Sequence, residues 1–147
     1  MECNHVGATL ASPVLLFSSM EWATFLAKAQ SNLRVARLAF ENKEYDPCVS
    51  RAYYAIFHAE IAALLRFTEL RQEHWDHEVV QAEFNRRLIR NRKVFSSDLA
   101  DVHNSLVGRR HTADYGPGRT SEIVARRALA RAETFVQAVQ SKVEEEA

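Results

Sequence analysis

Glycine and proline are scarce in this chain, four and three in 147 residues. A β-sandwich or barrel would need far more turn residues, so those architectures are excluded. Cysteine is scarcer still. Cys3 and Cys48 give no disulfide framework and no metal-ligand spacing, which fits a protein of the reducing cytoplasm. No apolar run approaches the ~20 residues of a membrane span, so no membrane association is expected. The N-terminus, MECNHVGATLASPVLLF, has no basic n-region and carries Glu2 and His5, unlike a signal peptide. P-loop, glycine-rich phosphate loop, nucleophile elbow and Cys–His pair are all missing. His74 and His77 flank Asp76 without a wider ligand set, so neither metal nor cofactor is expected.

An excess of one charge is also missing, with 19 basic against 19 acidic side chains. The distribution is uneven all the same. Residues 1–85 carry 7 basic and 11 acidic groups, residues 86–131 carry 11 and 4, and residues 132–147 carry 1 and 4. Fifteen of the basic residues are arginine, the better bidentate phosphate donor and a plane that stacks on bases. The densest stretch, RRLIRNRK, makes Arg86, Arg87, Arg90 and Arg92 candidate phosphate contacts. A solvated face explains the same residues without a ligand.

Apolar residues recur at three and four, the period of helices. Trp22, Phe25, Leu26, Ala29, Leu33, Ala36 and Phe40 form one stripe, predicting helix one over Ser19 to Asn42 with a Ser18/Glu21 capping box. Asp46 as N-cap and Pro47 at the first helical position predict helix two, to about Leu70. Its apolar face is broad, which makes it the central helix. Helix three is expected over His74 to Arg90, helix four from Ser96 or Ser97 to Tyr115, and helix five from Thr120 or Ser121 to Val143, with GPG as the stop before it. The expected architecture is all-α, an up-down antiparallel bundle of four or five helices. Residues 1–18 read as a loosely ordered extension, 19–143 as a single domain and 144–147 as an acidic tail.

Two segments carry candidate chemistry. In SRAYYAIFHAEIAALL, Arg51, Tyr54 and His58 are spaced three, four and seven apart and share a helix face. Polar groups on an apolar helix are costly unless partnered, so they build either a polar core network or a site. In RHTADY, Arg110 and Asp114 are four apart and form either a surface pair or part of a site, with Tyr115 beside them. If helices two and four run parallel, Arg51 and Arg110 lie ~20 Å apart along the axis at 1.5 Å per residue. They would then meet only through crossing angles or across a dimer. His77, Arg110, Asp114 and Tyr115 should share one end of the bundle, and His103 should lie near the level of His58.

These two segments, in this order, resemble HEPN domains, closest to a small stand-alone prokaryotic subgroup. The resemblance rests on SRAYYAIFHAEIAALL, then His77, Val80 and Phe84, then Arg110, Ala113, Asp114 and Tyr115. It implies a two-fold homodimer with the polar motifs near its cleft. It also implies an RNA or nucleotide ligand, and a nucleotidyltransferase-fold partner in a toxin–antitoxin-like pair. HEPN ribonucleases share an Arg followed by a His after four to six residues. Here Arg51 to His58, with six between, fits within a helix, while Arg71 to His77, with five between, falls partly in a loop, so His58 and Arg51 are the catalytic candidates for a metal-independent endoribonuclease. After Arg110 the family's late Arg–His pair gives way to Arg-x-x-Ala-Asp-Tyr, so binding without cleavage is the first expectation. A non-catalytic helical interaction module is the third.

Overall fold

A computed structural model describes the backbone of residues 13–145 and side chains from Glu21 to Glu145. Helix α1 spans Pro13–Glu41, α2 Tyr45–Phe67, α3 His77–Glu83, α4 Val102–Tyr115 and α5 Glu122–Glu145. A π-helical segment, Phe84–Asn91, continues α3, and a 3₁₀ turn covers Ser97–Leu99. There is no strand among the described residues. The all-α expectation holds.

Several boundaries differ from those read in the sequence. Helix α1 is already formed at Pro13, the first described residue. The backbone is therefore already helical through Ser18, and a Ser18/Glu21 box does not start it. The rest of the expected N-terminal extension, residues 1–12, lies outside the described residues. Helix α2 begins at Tyr45, so Asp46 falls in the first turn. Its carboxylate accepts from the Thr120 backbone N–H at 2.9 Å instead, tying the α4–α5 connection to the start of α2. Helix α3 begins at His77, capped by Asp76 accepting from the Glu78 and Val79 N–H groups, which leaves His74 outside it. Ser96 caps the 3₁₀ turn, and α4 proper starts only at Val102. Gly116 ends α4 as expected: a Cβ there would lie 2.6 Å from the Thr112 carbonyl oxygen.

Fifteen of the 23 residues of α2 are buried. Helices α1, α4, α5 and α3 all pack against it. Alanines make this possible, with Ala52, Ala55, Ala59, Ala62 and Ala63 on α2 facing Ala29 and Ala36 on α1 and Ala125, Ala128 and Ala132 on α5 within one core. Tyr45 donates to Glu122 at 3.2 Å and Cys48 lies 3.9 Å from the Ala125 carbonyl, so α5 runs parallel to α2. Phe40 meets Tyr45 while Arg66 lies over Trp22, so α1 runs antiparallel.

Helix α4 is also antiparallel to α2: His103 pairs with Glu60 at 2.7 Å and Asp114 with Ser50 at 3.5 Å. This corrects the parallel arrangement expected from counting helices. The reason lies in the α2–α3 connection. Thr68–Asp76 doubles back along the bundle, with Arg71 paired to Glu21 at 3.6 Å and Trp75 against Phe25. His77 then stands beside Tyr53, and Arg92 donates to the Phe67 carbonyl. The α3–π unit therefore climbs in the same direction as α2 and does not count as a rung.

Phe84 anchors that unit. Its ring lies 5.3 Å from both Phe95 and Phe135. The i→i+5 bonding widens the turn, so Leu88 and Ile89 both return to the buried side. Phe84→Ala is expected to cost ~3–5 kcal/mol in urea unfolding, the range for emptying a packed aromatic site. A loss below ~1 kcal/mol would show that the segment is held by something else.

Candidate functional site

The N-terminal half of α2 carries two rows of polar side chains, one turned to α1 and one to α4. On the α1 side Asn32 is the hub. Arg51 Nη1 donates to Asn32 Oδ1 at 3.1 Å, which fixes the amide so that its Nδ2 faces outward. That nitrogen donates to the Lys28 carbonyl at 3.0 Å and lies 3.2 Å from His58 Nδ1. His58 Nδ1 is thus an acceptor, and the neutral ring carries its proton on Nε2. Burial, then Lys28, Arg51 and His77, lower the His58 pKa to about 4. Phe25, Tyr54 and Phe57 enclose the ring. At neutral pH His58 is an uncharged ring with one lone pair already engaged.

On the α4 side a chain of four residues runs from the core outward. Glu60 is 1% exposed and its Oε1 lies 2.7 Å from His103 Nδ1, itself buried. His103 Nε2 lies 3.3 Å from the Tyr53 hydroxyl, which also bonds His77 Nδ1. Burial raises the Glu60 pKa, and the His103 bond pulls it part of the way back. Burial likewise raises the Tyr53 hydroxyl and lowers His77, the latter with help from Arg110 and His103. His77 stacks on Phe57 at 4.0 Å between ring centres.

The two rows meet at Tyr54. Arg51 Cζ lies 5.0 Å from its ring centre and Arg110 Cζ 5.9 Å, with Arg110 4.9 Å from Tyr53 as well. Arg51 and Arg110 therefore converge within one chain. The expected ~20 Å separation is corrected by the antiparallel α2–α4 docking, and no second copy is needed to join them. Arg110 Nη1 reaches Asp114 at 3.6 Å, a loose pair, while its Nε is buried with no hydrogen-bond partner. No carboxylate pairs with Arg51 among the described residues.

The other sequence candidates are placed apart from this cluster. Tyr115 is 72% exposed, with the His111 ring 5.3 Å from its own. Arg86 and Arg87 are both drawn onto Glu83, Arg86 at 2.7 Å, and lower its pKa. Arg92 is spent on the Phe67 carbonyl, and Arg90 is exposed on the π segment. The expectation missed Asn32, Ser50, Tyr53 and Glu60 as polar partners. The signal for Glu60 was present, since it is the one acid inside the apolar run of α2. No group of three or more His, Cys, Asp or Glu able to hold a metal occurs among the described residues.

A helical bundle whose central helix carries SRAYYAIFHAEIAALL, docked on a helix ending RHTADY, defines the class. The family model of the HEPN domain matches residues 22–142. The chain belongs to the HEPN domain family. It is also similar to a protein named "Putative toxin MJ0605" of Methanocaldococcus jannaschii, 57% identical over 37 residues. That match spans 25% of this chain and 28% of the relative. No described helix is long and apolar enough to cross a membrane.

The desolvated His58 sets a pH dependence. Unfolded, the ring takes a proton near 6.5; folded, it resists down to about 4. Between those values the unfolded state binds more protons, so stability falls as pH drops. His77 acts in the same sense, and Glu60, with its raised pKa, in the opposite one. Calorimetry should show the wild-type melting temperature falling from pH 6.5 to pH 4, and a shallower fall for His58→Gln. Parallel curves would mean that His58 protonates as readily folded as unfolded.

Proposed function

We propose that this HEPN protein binds RNA or a nucleotide on the face formed by Arg51, Tyr54 and Arg110, as the HEPN half of a toxin–antitoxin-like pair. One observation carries the reading: two guanidinium groups flank a single tyrosine ring, and neither is fully partnered. Cations with no close carboxylate, beside an aromatic plane, suit a phosphate and a stacked base. The toxin half of the proposal draws support from family membership and from the short match to a protein named a toxin. A nucleotidyltransferase-fold partner, a homodimer and a cytoplasmic location complete the proposal, and these rest on resemblance to the family.

Fluorescence anisotropy with a labelled single-stranded RNA, in EDTA, tests binding and cleavage together. Arg51→Gln and Arg110→Gln should each weaken binding and lower the slope of log affinity against log salt by ~1, since each removes about one phosphate contact. Replacing Arg86 and Arg87, already held by Glu83, should change the slope less. An unchanged slope in both Arg51 and Arg110 variants would remove this face as the ligand surface. Strand scission in the same EDTA assay, lost in His58→Ala, would select the endoribonuclease reading. Neither binding nor scission would leave the helical interaction module.

The broad apolar face of α2 gives no argument for a dimer, because the chain's own helices pack over it. Among the described residues, the large apolar side chains left exposed are Val35, Leu38, Val79, Tyr115 and Ile123. Sedimentation at micromolar concentration is expected to give twice the 16.8 kDa chain mass. A monomer there would rule the homodimer out while leaving the Arg51–Arg110 face intact.

A further inference from the structure

We propose that Glu60, His103, Tyr53 and His77 form a proton relay whose outer atom, His77 Nε2, takes a proton from a hydroxyl of a phosphate-bearing ligand held beside Arg110. The ligand's class rests on the binding reading above; the relay itself does not.

The polarity of the chain follows from its chemistry. A Glu60 carboxylate only accepts, so His103 Nδ1 carries a proton and its Nε2 is a lone pair. The Tyr53 hydroxyl must then donate to His103 Nε2 at 3.3 Å. Its oxygen is left to accept from His77 Nδ1. His77 is thereby held with a bare Nε2. That atom makes no hydrogen bond among the described residues, yet the one buried, unpartnered side-chain nitrogen or oxygen among them is Arg110 Nε. His77 Nε2 is therefore open to solvent. His58 differs, because its Nδ1 lone pair already takes the Asn32 amide.

The step balances. The ligand O–H bond breaks and an Nε2–H bond forms on His77. His77 Nδ1 passes its proton to the Tyr53 oxygen, and the Tyr53 hydroxyl proton moves to His103 Nε2. His103 Nδ1 gives its proton to Glu60. Both imidazoles end neutral with exchanged tautomers, Tyr53 ends as a phenol, and Glu60 ends as a carboxylic acid. The ligand oxygen keeps the electron pair and faces the Arg110 guanidinium. Burial favours this direction at the inner end, because a carboxyl with no water around it leans toward its neutral form, with the His103 bond opposing it. It also keeps Tyr53 from stopping the proton as a tyrosinate.

The charged and titratable groups around the chain are few. His77 faces Arg110 and His103 from α4, Tyr53, Tyr54 and His58 from α2, and Asp76 on its own helix. Glu60 faces His103. The Arg110 charge opposes an imidazolium at His77, which favours passing the proton inward over storing it there.

Nuclear magnetic resonance on the full chain, with ¹⁵N-labelled histidine and ¹³C-labelled glutamate carboxyls, tests both parts. Without ligand, wild-type His77 should be the Nδ1–H tautomer at neutral pH. Its ring and the Glu60 carboxyl should titrate in one shared step. In Tyr53→Phe, His77 should revert to the Nε2–H form that free imidazole prefers, and the two titrations should separate. An Nε2–H tautomer in the wild type, or a shared step surviving in Tyr53→Phe, overturns the relay. Should that variant fail to fold, the wild-type tautomer and the shared step decide alone. An RNA oligonucleotide should then shift the His77 Nε2 resonance more than its 2′-deoxy counterpart. Equal shifts, or none, overturn the hydroxyl assignment without touching the relay.

Discussion

A carboxyl in the middle of the central helix, with almost no exposed surface, has to be met by a hydrogen-bond donor. His103 meets Glu60 at 2.7 Å, and much of the structure follows from that contact. Stranding one partner of such a buried pair costs ~3–5 kcal/mol. The pair therefore acts as a pin: it sets where along α2 the helix α4 docks, and in which direction. Two and three turns further along α4, the same docking brings Arg110 to the Tyr53 and Tyr54 rings and Asp114 to Ser50. A one-turn slip would unmake the pair and the arginine platform together.

Around that pin the bundle is built from small residues. Five alanines on α2 and further alanines on α1 and α5 let the backbones approach closely. Close approach buries the polar row along with the apolar one, so hydrogen bonds within the chain must replace water there. Arg110 Nε is where this replacement is incomplete, and it lies in the cluster that the functional proposal uses. An unmet donor in an otherwise satisfied core fits a group kept for an acceptor that the chain itself does not supply.

The two histidines of α2 and α3 show how environment separates like residues. His58 is enclosed by three rings and takes an amide proton on Nδ1, which leaves it inert near neutral pH. His77 also lies against three rings, those of Tyr53, Tyr54 and Phe57, but its Nδ1 bonds a phenol backed by a carboxyl two links away, and its Nε2 has no bond among the described residues. Sequence spacing pointed the other way, because of the two Arg–His pairs with the spacing of the family's ribonucleases only Arg51–His58 fits within a helix, while Arg71–His77 runs through a loop.

The helical class, the central place of α2 and the stop at Gly116 were legible in the sequence. Each is local: a period of three and four, an apolar run, a glycine where a Cβ would strike Thr112. The grouping of Arg51, Tyr54 and His58 was legible for the same reason, since one helix face is fixed by spacing alone. Asp46 shows where local signals fail. Its cap propensity was real, but a tertiary acceptor role for the Thr120 N–H outcompeted it. The meeting of Arg51 with Arg110, and the line from Glu60 to His77, were not legible at all. They depend on a connection that doubles back without forming a rung, and on a histidine and a carboxyl 43 residues apart finding each other. Spacing along one helix is set by the chain's own geometry. The register between two helices is set by which buried groups can satisfy one another, and that is decided only when they dock.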